Sequence, residues 1–153
     1  MTRELSAAEV ANEERRIKLA YDSQQPRNYY SWFTPGNVFV VQERERRLLR
    51  LLKARGVHSL EDKRILDFGC GSGHWVREFV RWGAQPENIT GIDLILPRIK
   101  IATDLCPRGV TLQCMNGAML DFHGESFDLV LQSLVFTSVL DESMKYRMAQ
   151  EML

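Results

Sequence analysis

Two rhythms of apolar and polar positions divide the chain. Up to about residue 60 the spacing is that of amphipathic helices. From Lys63 onward, short apolar runs alternate with helix-length amphipathic stretches. Ser6 with Glu9 three residues on has the form of a capping box. A polar helix follows to about Ser23, with Val10, Ile17, Ala20 and Tyr21 on one side. Its many charges predict a solvated outer helix, broken by Gln25-Pro26-Arg27-Asn28. Val38, Val41, Leu48, Leu49 and Leu52 then share a face, which predicts a second helix over Val38 to Arg55, capped by Asn37 and ended by Gly56. Glu43 and Arg47 support its solvated face at i,i+4.

In the second part, Arg64 to Phe68 reads as a buried strand and Gly73 to Trp82 as a helix burying Val76, Phe79 and Val80. Ile89 to Leu94 is a second strand, and Pro97 opens a helix running to about Leu105. Val110 to Cys114 is a third strand. Phe127 to Gln132 is a fourth, its nearly unbroken apolar run typical of a sheet covered on both faces. Asp141 to Leu153 reads as a last helix. Such alternation implies right-handed βαβ units and an α/β fold with a parallel, doubly wound sheet. Ligands of these sheets sit at the carboxyl ends of the strands. The glycine loop after the first strand, Asp93, Asn116 and Gln132 all fall there.

Composition narrows the classes. With 153 residues, 44% apolar and 26% charged, the chain is long enough for one domain with a sizeable core. Twenty basic and twenty acidic residues cancel, which argues against nucleic acid or an anionic membrane as partner. No apolar run approaches the roughly 18 residues of a membrane span. Three cysteines (Cys70, Cys106 and Cys114) without a C-x-x-C spacing predict reduced thiols in a cytoplasmic protein, with no disulfide framework and no metal site. Tyr29-Tyr30-Ser31-Trp32-Phe33 is dense in aromatics. It would either staple the N-terminal segment to the core or form a lid over a ligand.

The chemistry concentrates in Asp67-Phe68-Gly69-Cys70-Gly71-Ser72-Gly73-His74. Three alternating glycines between strand and helix permit positive φ and close approach of a ligand to a helix N-terminus. The dinucleotide fingerprint G-x-G-x-x-G is not met, and His74 stands where bulk works against a pyrophosphate. No G-x-x-x-x-G-K-[ST] run occurs. Asp93, 20 residues beyond Gly73, is near the distance needed to accept from two ribose hydroxyls. The ligand expected is a nucleoside without a pyrophosphate.

At these residues the chain resembles the class I S-adenosylmethionine-dependent methyltransferases of the small-molecule type. Ile65 to Gly73 is similar to the first motif of that family and Gly91-Ile92-Asp93 to the second. Asn116-Gly117-Ala118, with Met119 to Phe122, resembles the adenine-binding segment, although the family more often has an acid in place of Asn116. Glu125 to Val130 resembles the run into strand four. The resemblance implies a Rossmann-like sheet of order 3-2-1-4 over residues 61–153, behind an N-terminal helical cap over residues 1–60. It also implies S-adenosylmethionine as cofactor. Gly69, Cys70, Gly71 and Gly73 would line its methionine part, and Asp67 would orient its amino group. Asp93 with Leu94 would take the ribose, and Asn116, Gly117 and Ala118 would border adenine. Gln132 and Ser133 would face the methyl group and a small-molecule acceptor. Tyr29, Tyr30, His74, His123, Gln132 and Asp141 are candidates for a catalytic role.

The sheets of that family have seven strands, and this sequence stops near the helix after the fourth. A C-terminally truncated form is therefore expected, with strand four as an apolar edge that a homodimer or partner chain would cover. Two other functions stay open at this point. One is an S-adenosylmethionine-binding module with little or no catalysis, and the other a fragment of a nicotinamide-dependent oxidoreductase.

Overall fold

Strand β1 (Ile65–Phe68) is buried at all four positions and lies inside a parallel four-stranded sheet. On one side it pairs with β2 (Ile89–Asp93), which pairs in turn with β3 (Thr111–Cys114). On the other it pairs with β4 (Leu129–Gln132), so the order is β3-β2-β1-β4, as expected. The structure is a computed structural model that describes residues 6–22 and 31–153. Tyr29, Tyr30 and the expected break at residues 25–28 lie outside the described residues.

The period-two alternation of β1 sends its side chains into two cores. Ile65 joins Val76 and Phe79 of α3 (His74–Arg81), Ile99 of α4 (Leu96–Leu105) and Leu52 of α2 (Pro35–Ala54). Leu66 and Phe68 join Ile17 of α1 (Ala7–Asp22) and Met144 and Met148 of α6 (Glu142–Glu151). Helices therefore cover both faces, which is the doubly wound arrangement. Each such side chain contributes about 1.5–3 kcal/mol on burial, so the register of β1 is strongly specified. The register sets Asp67 beside Gly91 and Leu131, and Phe68 beside Ile92 and Gln132.

Local signals account for most helix ends. Ser6 and Glu9 form the expected capping box: the Ser6 N–H donates to Glu9 Oε2 at 3.0 Å and the Glu9 N–H donates to Ser6 Oγ at 3.3 Å. Asp141 caps α6, its Oδ1 accepting from the Met144 N–H at 2.8 Å. Helix α2 departs from its prediction. It starts at Pro35 behind Thr34, with proline pre-set for the first turn, and Asn37 lies inside the helix with its amide donating to Ser31 O. Glu45, not Leu49, takes the inward position, and Leu49 is 42% exposed. Ala20 likewise turns outward from α1. A four-residue helix α5 (Val135–Ser138) follows Leu134, whose φ of 67° lies in the left-handed region. Its brevity left no periodic signal.

Candidate functional site

The site grows from the end of β1. Gly69, Gly71 and Gly73 have φ of 80°, 56° and 78°, values that L side chains adopt only with strain. These angles fold the loop back over β2. The N–H groups of Gly69 and Cys70 both donate to Ile92 O at 2.8 Å. The Gly71 N–H donates to Asp93 Oδ2 at 2.9 Å, while Asp93 Oδ1 accepts from the Ile95 N–H at 2.8 Å. One carboxylate thus fixes both the glycine loop and the entry to α4.

Crowding also requires glycine at Gly69 and, outside this loop, at Gly117. A Cβ on Gly69 would lie 2.1 Å from Val135 Cγ2, and one on Gly117 would lie 2.1 Å from the Phe68 ring. The first brings α5 against the loop. The second lets the segment after β3 cross the end of β1. In that segment Asn116 Oδ1 accepts from the Ala118 N–H at 2.9 Å, and its amide donates to Glu14 of α1 at 3.3 Å.

Asp67 is 1% exposed, and among the described residues neither of its carboxyl oxygens has a well-formed hydrogen bond. Burial, and then the negative charge of Asp93, push its pKa up to about 7. An orphaned buried carboxyl beside a binding loop calls for an explanation. Its chemistry suits a cationic group.

These elements surround a cleft of about 350 Å³ at the carboxyl end of the sheet. Of the residues expected from the sequence, Gly69, Asp93, Leu94, Asn116, Gly117 and Ser133 line it. Asp67, Cys70, Gly71, Gly73 and Ala118 are not among its lining residues. The Cys70 thiol faces Gly91, and burial raises its pKa. Gln132 is turned to α5: its side-chain oxygen, oriented by the hydrogen-bond network, accepts from the N–H groups of Val135 and Phe136 at 2.9 Å each. His74 does not line the cleft either. It sits between helices, with Nε2 4.0 Å from a Glu45 oxygen of α2, and burial lowers its pKa. Trp32 and Phe33 are 59% and 99% exposed, and they act neither as staples nor as cleft walls.

Helix α1 supplies what the sequence reading assigned to no function. Ile17 and Tyr21 line the cleft. The helix is tied across it to the segment after β4: the Tyr21 hydroxyl meets Ser138 Oγ at 2.8 Å, and Arg16 donates to Ser138 O. Glu13 Oε1 accepts from the Leu140 N–H at 2.7 Å. The Arg16 guanidinium holds the Glu13 carboxyl down to about 2. Arg98, in the first turn of α4, also lines the cleft, stacked 4.1 Å above the Tyr21 ring. Its position five residues after Asp93 was the one available signal.

Sheet order, flanking helices and glycine loop define a Rossmann-like α/β domain, and comparison with known proteins gives its class. A family described as a methyltransferase domain matches residues 65–153, and the chain belongs to that family, the class I S-adenosylmethionine-dependent methyltransferases. Among curated proteins, a ubiquinone biosynthesis O-methyltransferase of Parvibaculum lavamentivorans is 28% identical over 109 residues, covering 71% of this chain and 43% of the relative. A crystal structure of an S-adenosylmethionine-dependent methyltransferase from Mesorhizobium loti is 28% identical with a TM-score of 0.53, over 68% of this chain and 47% of that one. The N-methyltransferase NodS of Bradyrhizobium japonicum WM9, solved with S-adenosylhomocysteine, is 18% identical with a TM-score of 0.65, over 92% of this chain and 66% of that one. At that identity the likeness is one of fold, and its coverage takes in most residues before β1. The chain spans less than half the length of the curated relative and of the Mesorhizobium loti protein. No described helix is long and apolar enough to cross a membrane.

Proposed function

We propose that this chain binds S-adenosylmethionine in the cleft and transfers its methyl group to a small-molecule acceptor. The observation that carries the reading is the convergence of Gly69, Asp93, Leu94, Asn116 and Gly117, drawn from the ends of three strands, on one cleft of about 350 Å³. That volume lies within the usual range for small-molecule sites.

In this reading the cofactor supplies an electrophilic sulfonium methyl when bound. The protein residues bind, orient and exclude water. The glycine loop offers close backbone approach, and Asp93 has lone pairs left beyond its two backbone donors for a ribose hydroxyl. Asn116 and Gly117 border the base. Asp67 is placed behind the loop for an ammonium group, directly or through water. Ser133, Thr137 and Ser138 supply hydroxyls at the α5 end, where an acceptor would enter beside Ile17 and Tyr21. Among the described residues, none of the basic candidates His74, His123 and Asp141 reaches the cleft. An acceptor whose nucleophile is already free would need no base, its rate gained from positioning and water exclusion. Helices α1 and α2 act as the cap. The open edge of β4 would be covered by a second copy or another chain, which light scattering over a concentration series tests; a monomer at high concentration rejects it.

Calorimetric titration with S-adenosylmethionine, S-adenosylhomocysteine and NAD tests the cofactor reading. Binding of the first two and not of NAD is expected, and preference for NAD rejects it. A methyl-transfer assay on a metabolite panel then separates transfer from binding alone.

A further inference from the structure

Arg98 presents a guanidinium held against an aromatic ring. The Tyr21 ring holds one face of its guanidinium at 4.1 Å, and among the described residues it has no ion pair and its N–H donors meet no acceptor. The guanidinium also reaches back toward the glycine loop: Nη1 lies 3.6 Å from where a Cβ on Gly71 would stand. Among the described residues no other cationic side chain lines the cleft, and Asp93 is its acidic lining residue. A planar guanidinium, always charged and fixed by stacking, is built to receive a carboxylate through two parallel N–H···O bonds.

We infer that Arg98 reads the carboxylate of the amino-acid end of the cofactor, with Tyr21 as its positioning residue. The assignment rests on the cofactor reading above. It divides the cleft by charge. Asp93 and the buried Asp67 disfavour an anion on their side of the loop, and Arg98 offers the place where one is stabilised. A cation–π stack is worth only about 0.5–1 kcal/mol at an exposed site, so the ring orders the guanidinium without satisfying its donors.

The test compares two ligands that differ only in that carboxylate, S-adenosylmethionine and its decarboxylated form, by calorimetry on the wild-type chain and on Arg98→Met and Arg98→Lys. The wild type should prefer the carboxylate form by on the order of 10-fold or more, the worth of a charge-assisted contact. Arg98→Met should bring the ratio near one, mainly through weaker binding of S-adenosylmethionine, and Arg98→Lys should restore part of it. An equal loss for both ligands, or no preference in the wild type, overturns the assignment. So does an unchanged ratio in Arg98→Met, which is the outcome if an acidic acceptor is the true partner. No binding of either compound to the wild type overturns the cofactor reading and this assignment with it. A changed ratio cannot come from a folding defect, because misfolding lowers both affinities together.

Discussion

The carboxylate of Asp93 accepts the backbone N–H of Gly71 at 2.9 Å, joining the end of β2 to the middle of the glycine loop. The same side chain accepts from the Ile95 N–H, so a single residue shapes the loop, the start of α4 and the floor of the cleft. It is 9% exposed, and its loss would strand two backbone donors.

Asp93→Ala should therefore fail in two measurable ways. Stability should drop by about 1–3 kcal/mol in urea titration, the cost of leaving buried donors unpaired. Affinity for S-adenosylmethionine should fall at least 10-fold, since loop and ribose contacts go together. Asp93→Asn, which keeps one acceptor oxygen, should fall between. Unchanged affinity in Asp93→Ala would remove Asp93 from the site.

Asp67 predicts a pH dependence with a definite sign. Its pKa is raised from 3.8 to about 7 in the folded chain, so between those values the folded state binds more protons than the unfolded one. Stability from this group is then lost as pH rises through that window and is fully lost above pH 7. Urea denaturation across pH 4.5 to 8.5 should show the wild type falling relative to Asp67→Asn by on the order of a few kcal/mol. Parallel profiles for the two proteins would exclude a raised Asp67.

Glu13 has the opposite sign. Arg16 and the Leu140 N–H hold its carboxyl down to about 2, so its contribution is present above about 4.5 and disappears as pH falls toward 2. Glu13→Gln should cost about 1 kcal/mol near neutral pH. Hydrogen exchange should speed up in α1 and at residues 138–140, and not in β1. Uniform acceleration across the sheet would mean that the contact is not a local strap.

Three glycines separate backbone strain from crowding. Gly56 has φ of 78° with nothing within 4 Å of a notional Cβ, so Gly56→Ala should cost only the conformational penalty of about 1–2 kcal/mol. Gly69→Ala adds a clash with Val135 at a similar φ, and should cost roughly 1–3 kcal/mol more. Gly117→Ala, where no positive φ is involved, should report the clash with Phe68 alone. Equal destabilisation in Gly56→Ala and Gly69→Ala would show that Val135 moves aside freely.

The sheet and its glycine loop are legible in local sequence signals. Apolar runs of strand length, the three glycines and the spacing to Asp93 are local or nearly local signals, and each strand lies within two residues of its expected ends. The strand order followed once the first motif was matched. Tertiary structure decided which side chains share the cleft. Tyr21 and Ser138 meet although they lie 117 positions apart, and Arg98 of α4 stacks directly on Tyr21 of α1. Gln132, expected in the cleft, is drawn to the α5 N–H groups that satisfy it, and His74 is held between helices, 4.0 Å from Glu45. No periodicity carries such pairings. They arise from the packing of helices on two faces of a sheet, which brings Ile17 and Tyr21 of α1 to the wall of the site and ties Glu13 and Arg16 to the segment after β4.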